Sequence, residues 1–120
     1  MSDTGDLIDR LPWHPDAERV IGCGPGWYDL IDFAHRRLSG IGPYQLYGVR
    51  QKYGKLVYGA GPAKGLDPLL VKRMTDVVED IAEESTSVCE VCGENGALND
   101  NPYALQTRCE IHWEDIPWTE

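Results

Sequence analysis

Cys89-Glu90-Val91-Cys92 and Cys109-Glu110-Ile111-His112 are the two stretches on which the reading of this chain turns. Each leaves two residues between its outer members, the spacing at which a tight knuckle turns both side chains toward one ion. Three thiolates and one imidazole complete a tetrahedral shell suited to Zn²⁺. Gly93 follows the first knuckle, where a residue free to take positive φ is useful. Sixteen residues separate the pairs. That is enough for a short hairpin: Ala97-Leu98, a turn at Asn99-Asp100-Asn101-Pro102, and a return from Tyr103 to Thr107. Four protein ligands leave no place for water, so Cys89, Cys92, Cys109 and His112 are expected to hold a structural zinc. The competing reading is a set of reduced thiols beside a histidine.

At 120 residues the chain has the length of one domain with a modest core. A metal is a natural supplement at this size, because its binding free energy adds directly to folding. No apolar run approaches the roughly 20 residues that cross a bilayer, and no signal peptide opens the chain. The expectation is a cytoplasmic protein with no membrane partner, its cysteines metal-bound or reduced.

The net charge of −9 is unevenly spread. Residues 36–73 hold eight Lys/Arg and one acid, Asp67, a balance of +7. Residues 1–35 stand at −5 and residues 74–120 at −11. Two readings follow. Either the acidic helix and finger fold over the basic middle, or the chain shows a basic face to phosphate and an acidic face to a basic partner.

Residues 1–19 read as a flexible acidic arm, with Leu7, Ile8, Leu11 and Trp13 its only sizeable apolar groups. Pro12-Trp13-His14-Pro15 forbids regular helix there. Trp13 either pins the arm to the core or is an anchor for a partner. Gly22-Cys23-Gly24-Pro25-Gly26 leads into a helix whose apolar positions 27, 30, 31, 34 and 38 share one face, with Gly40 as its terminator. A glycine-rich turn before a helix can cradle phosphate, but neither a dinucleotide fingerprint nor a P-loop lysine accompanies it. The helix dipole there could lower the Cys23 thiol pKa, though no base is placed beside it; an idle thiol is the plainer reading.

Tyr44–Tyr53 and Lys55–Ala60 read as a β-hairpin turning at Gly54. Simple alternation puts Tyr47, Val49 and Tyr53 on a core side, and Leu46 and Gly48 on an outer side with Arg50 and Lys52. Arg50, Lys52 and Lys55 are the candidate phosphate contacts of a nucleic-acid or nucleotide site. Asp67 is a good N-cap and Pro68 a good first residue for a second amphipathic helix, striped by Leu70, Met74, Val77, Val78 and Ile81. Its far end carries Glu79, Asp80, Glu83 and Glu84, the wrong sign for a helix C-terminus unless positive groups lie opposite. After His112 come Trp113, Ile116 and Trp118 among acids, packing back or forming a contact patch.

These segments predict one α+β domain over residues 20–120: two amphipathic helices, a β-hairpin and a C-terminal zinc-ribbon-like finger over 87–113. The order of Gly22-Cys23-Gly24-Pro25-Gly26-Trp27-Tyr28-Asp29-Leu30-Ile31, then Val49-Arg50-Gln51-Lys52-Tyr53-Gly54-Lys55-Leu56-Val57-Tyr58, then the two knuckles resembles a group of small tailed-phage and prophage proteins. The resemblance spans about residues 21–113. Arg50 stands for a usual lysine, Val57 for a common arginine and Pro25 for a usual acid. It implies a mobile-element origin and carries no activity.

No Ser-His-Asp, HExxH or P-loop pattern is present, so an enzyme is not expected. The expected function is a non-enzymatic zinc-stabilised module that binds a host or phage protein, in a counter-defence or regulatory role. Its candidate contacts are Trp13, Glu79, Asp80, Glu83, Glu84 and Trp118. Nucleic-acid or nucleotide binding by the hairpin over 44–60 is the alternative, which the net charge opposes at long range.

Overall fold

The computed structural model describes residues 4–98 and 106–109, with backbone alone for Thr4 and Gly5. In chain order the elements are α1 (Thr4–Arg10), β1 (Ile21–Gly22), a 3₁₀ turn (Pro25–Trp27), α2 (Tyr28–Ile41), β2 (Tyr44–Lys52), β3 (Lys55–Pro62), α3 (Pro68–Ser85), β4 (Ala97–Leu98) and β5 (Thr107–Arg108). This is the mixed α+β class that the sequence predicts. No described helix is long and apolar enough to cross a membrane.

β2, the first strand of the hairpin, is the middle of the sheet, ordered β1-β2-β3. β2 pairs antiparallel with β3 on one edge and parallel with β1 on the other, Ile21 opposite Val49. The same outer edge of β2 also takes residues 12–14: Leu46 N donates to Pro12 O at 2.8 Å and His14 N to Leu46 O at 2.9 Å. The turn residues Tyr53 and Gly54 both take positive φ, at 54° and 80°. That is the geometry whose twist matches two right-twisted strands.

Simple alternation fails in β2, and a bulge is the reason. Leu46 pairs with Ala60 while Gly48 pairs with Gly59, so β2 carries one extra residue between them. An extra residue shifts the inward parity. Leu46 and Val49 therefore both point into the core, and Tyr47 turns outward to stack on His14 at 4.6 Å between ring centroids. The core tyrosines are Tyr44 and Tyr58, not Tyr47 and Tyr53. Their hydroxyls meet at 2.7 Å, and Tyr44 meets His35 Nδ1 at 2.7 Å. Burial raises the Tyr44 phenol to about 12 and lowers the His35 imidazole, so this chain of hydrogen bonds runs between neutral groups.

Trp27, Leu30, Ile31, Ala34 and Leu38 of the first amphipathic segment meet Met74, Val77 and Ile81 of α3 in one apolar cluster with Leu46, Leu56 and Tyr58. Asp67 caps α3 by accepting from Leu69 N at 2.8 Å, with Pro68 at the first position, as the sequence predicts. α2 continues past Gly40 and ends at Gly42, whose N–H reaches Leu38 O. A glycine followed by an apolar residue that still fits the buried stripe costs too little to stop a helix.

The expected arm is corrected too. Residues 4–10 form α1, and Leu7, Leu11 and Trp13 are buried in the common core. Trp13 is 7% exposed and its indole N–H donates to Ile8 O at 2.8 Å. Its large apolar area, with the indole satisfied internally, outweighs the acidic composition around it.

Two small buried side chains join elements distant in sequence. Ser85 Oγ accepts from Leu56 N at 2.9 Å and donates to Ala82 O at 2.6 Å, tying the end of α3 to β3. Thr107 Oγ1 donates to Gly54 O at 2.7 Å, tying β5 to the hairpin turn. Ser85→Ala strands the buried Leu56 N–H, and a loss of about 1–3 kcal/mol is expected in urea unfolding with an unchanged slope. A Ser85→Ala midpoint equal to that of the parent would show that this bond carries no stability.

Candidate metal centre

The first knuckle begins where α3 stops. Ser87 N and Val88 N still reach back to Glu84 O and Ser85 O, and Cys89 N then donates to Glu94 O at 2.7 Å. Gly93, at φ 82°, donates its N–H to Cys89 O at 2.9 Å, which closes the loop. The positive φ anticipated after the knuckle is present. β4 and β5 pair antiparallel, Ala97 with Arg108 and Leu98 with Thr107, and bring Cys109 back beside the knuckle. Glu90 N to Thr107 O at 3.0 Å fixes the two halves together.

The result is a cluster in which the Sγ atoms of Cys89, Cys92 and Cys109 lie within 4.8 Å of one another. Cys92 Sγ and Cys109 Sγ are 3.7 Å apart. Thiolates bound at about 2.3 Å around a tetrahedral ion stand about 3.8 Å apart. A disulfide would need about 2.05 Å, and no described cysteine forms one. Three thiolates this close repel unless a cation lies among them. Cys89 and Cys109 are buried while Cys92 is exposed. The three cysteines could hold a metal ion; His112, the expected fourth ligand, lies outside the described residues, as does Trp118.

Searches against protein-family models, curated proteins and solved structures give no match. The chemistry of the centre therefore rests on its own geometry.

That geometry gives the glycine-rich turn a different part from the phosphate cradle considered above. Its N–H groups are occupied by the knuckle: Gly26 N donates to Glu90 O at 2.7 Å and Gly24 N to Glu90 Oε2 at 2.9 Å. The Trp27 indole N–H donates to Val88 O at 2.8 Å. A Cβ at Gly24 would stand 2.5 Å from Glu90 O, and one at Gly26 would stand 2.1 Å from Cys89 O. Two backbones meet here with no room for a side chain. Cys23, beside this contact, is half-buried and outside the thiol cluster. Burial, then the charge of Glu90, raises its thiol to about 12, which suits the idle thiol of the plainer reading and not one activated by the helix dipole.

The other predicted residues lie elsewhere. Glu79, Asp80, Glu83 and Glu84 are exposed along the C-terminal half of α3, and Arg50 and Lys52 are exposed on β2. Two contacts link the basic middle to the acids: Lys55 to Glu83 at 3.9 Å and Arg37 to Asp80 at 3.8 Å. Both are solvent-exposed pairs, each contributing about 0–1 kcal/mol. Among the described residues, Arg50, Lys52, Glu79 and Glu84 make no ion pair. Glu90 was missed by the reading of the sequence; its place inside a knuckle opposite a Gly-x-Gly turn was the available signal.

Gly26→Ala is expected to force the knuckle and the α2 lead apart. Chelator competition should show metal affinity lowered at least tenfold, with about 1–3 kcal/mol of stability lost to overpacking. Gly40→Ala, in a helix with open space around the added carbon, should instead stabilise by about 0.5–1 kcal/mol. Equal metal affinity in Gly26→Ala and the parent would separate the glycine contact from the metal centre.

Proposed function

We propose that the chain is a non-enzymatic, zinc-stabilised module that binds another protein through the acidic half of α3. The carrying observation is that Glu79, Asp80, Glu83 and Glu84 are all exposed and at most weakly paired, at a helix end whose dipole disfavours them. Acids kept in that position have their best use opposite positive groups of a partner. Zinc is the ion that suits three cysteines with His112 as fourth ligand, and its part is structural. The resemblance to tailed-phage proteins supports a mobile-element origin, and a protein of that origin and size would act in the host cytoplasm by occupying a host factor or defence component. Metal analysis of purified protein should give one zinc per chain, and chelation should unfold the finger by circular dichroism. In a pull-down from host lysate, the zinc-loaded protein should retain a stoichiometric partner that the double variant Glu79→Lys/Glu84→Lys releases. Recovery of no such partner, or equal recovery by the variant, would count against the reading.

A second reading has its own observation. Arg50 and Lys52 lie exposed on β2 without ion pairs among the described residues, and Lys52 Nζ lies 5.5 Å from the ring centroid of exposed Tyr53. Cations beside an open aromatic suit phosphate contact with base stacking. Fluorescence anisotropy with single-stranded oligonucleotide decides it. Affinity that falls steeply with salt and again on Lys52→Glu would favour the hairpin as the working surface, and flat signals at low salt would remove it.

A further inference from the structure

α2 and α3 run antiparallel. The Trp27 indole at the start of α2 bonds Val88 O just past the end of α3, and a Cβ at Gly42 would touch Leu66 and Met74 at the other end. A cleft of about 420 Å³, open to solvent, lies between the two helices. Arg36, Arg37 and Gly40 line it from α2, and Arg73 and Asp76 from α3, with buried Val77 behind them. Gly40 follows the two arginines by four and three residues, and Asp76 follows Arg73 by three, so each helix turns one face to the cleft.

Three cations share this space with one acid, and the acid is already engaged. Asp76 accepts from Lys72 Nζ at 3.1 and 3.3 Å. Arg36 lies 3.3 Å from Asp32, a carboxylate that Arg10 holds by its other oxygen. Arg37 reaches Asp80 only at 3.8 Å, its guanidinium 5.6 Å from the centroid of the Phe33 ring. Arg36 and Arg37 stand toward the C-terminal end of α2, whose dipole favours cations, so alone they need no ligand. Arg73 differs. It makes no ion pair among the described residues, and it stands in the N-terminal half of α3, where the dipole gives a cation no support.

Gly40 is an independent observation. It lies inside α2 without a positive φ, and a Cβ there would meet nothing within 4 Å. Neither a turn nor a close contact requires glycine, which weakens a helix interior relative to alanine. What the missing side chain does provide is room in the wall of an arginine-lined cleft.

We propose that this cleft binds a small molecule carrying at least two phosphate groups, with Arg36, Arg37 and Arg73 clamping the oxygens and Gly40 leaving them space. The guanidinium suits the task, because its planar fork meets phosphate oxygens two at a time and stays charged at every working pH. Two phosphate groups, at about −1.5 to −2 each, match three arginines more closely than one does. The net charge of −9 does not forbid such a ligand. Charges beyond the roughly 8 Å Debye length are largely screened at physiological salt, so the arginines of the cleft set the potential that a compact anion meets. The lining includes none of the acids of the protein-binding reading and no hairpin residue, so the inference stands apart from both readings above.

Isothermal titration of the zinc-loaded full chain with inorganic pyrophosphate tests it, with orthophosphate and citrate as controls. One site per chain is expected, with pyrophosphate bound at least tenfold more tightly than either control. Arg73→Gln, at an exposed position, should weaken pyrophosphate at least tenfold, while Lys52→Gln, the same loss of charge on the hairpin, leaves it within twofold. Gly40→Leu should fill the cleft and weaken binding at least tenfold, with a melting temperature no lower than the parent's to show that the fold is kept. ADP and inositol trisphosphate separate the sources. A preference for the first names a nucleotide, a preference for the second a lipid headgroup, and parity with pyrophosphate a free diphosphate; all three uphold the site. No heat of binding at low salt overturns the inference. Citrate within twofold of pyrophosphate would give the arginines to a carboxylate-bearing partner, and equal losses in Arg73→Gln and Lys52→Gln would give the binding to diffuse charge. Full affinity in Gly40→Leu would place the ligand outside the cleft. Each of these results also overturns it.

Discussion

The contact on which the other parts depend is backbone against backbone: the turn at Gly24 and Gly26 lies against the carbonyls of Cys89 and Glu90, with no space for a Cβ between them. It joins the start of α2 to the end of α3 through residues more than sixty positions apart, and the Trp27 indole bonded to Val88 O seals it. A thiol cluster assembled on a free loop would set only that loop. Here the knuckle is seated on the helical core, so the order that an ion held by the cysteines would impose reaches α2, α3 and, through Thr107 and Gly54, the hairpin turn. Among the described residues beyond α3, Cys89, Thr107 and Cys109 are buried, little to offset the conformational entropy of ordering that segment. Coupling the thiol cluster to the core would make one cooperative unit of two weakly supported ones.

Much of this was legible in the sequence where the signal is local. The C-x-x-C spacing, the Asp67-Pro68 helix start and the apolar stripes all act within a few residues, and each appears where its pattern predicts. The misreadings share a different physics. Tyr47 was assigned inward because alternation was assumed unbroken, and one extra residue in β2 reversed it. Trp13 was read inside an acidic arm, yet the free edge of β2 offered bonds to Pro12 and His14 that composition cannot reveal. The glycine turn was set aside as an anion cradle for want of a fingerprint or P-loop lysine, but its partner, Glu90, is distant in sequence and went unread. Local chemistry was recognised there, and the occupant was not.

The buried hydroxyls show the same limit. Among the described residues, Ser85 and Thr107 are the two fully buried polar ones, and each satisfies a backbone group at an element's end. Nothing in their immediate sequence distinguishes them from solvent-facing Ser and Thr. Their role follows from the sheet edge and the hairpin turn, which leave a donor at Leu56 and an acceptor at Gly54 without ladder partners. Unsatisfied groups of that kind are costly when buried, which explains why small hydroxyls rather than apolar residues fill these positions.

The charge pattern of α3 is the feature least economical for folding alone. Lys72 and Arg73 stand in its N-terminal half and the four acids in its C-terminal half, each end opposing the helix's own dipole. Part of that cost is offset by α2, which runs antiparallel alongside: Trp27, at the start of α2, bonds Val88 just past the end of α3, so the positive end of α2 faces the acids. The offset is incomplete, because the dipole field fades within a turn and only Glu83 and Glu84 lie that close to the end. Of the remaining acids, Asp80 has one long exposed pair with Arg37 and Glu79 has none among the described residues, an arrangement that is easily exchanged for stronger contacts. A helix tuned only for stability would have placed these charges the other way round. Its present order leaves negative charge facing solvent along the C-terminal half of α3.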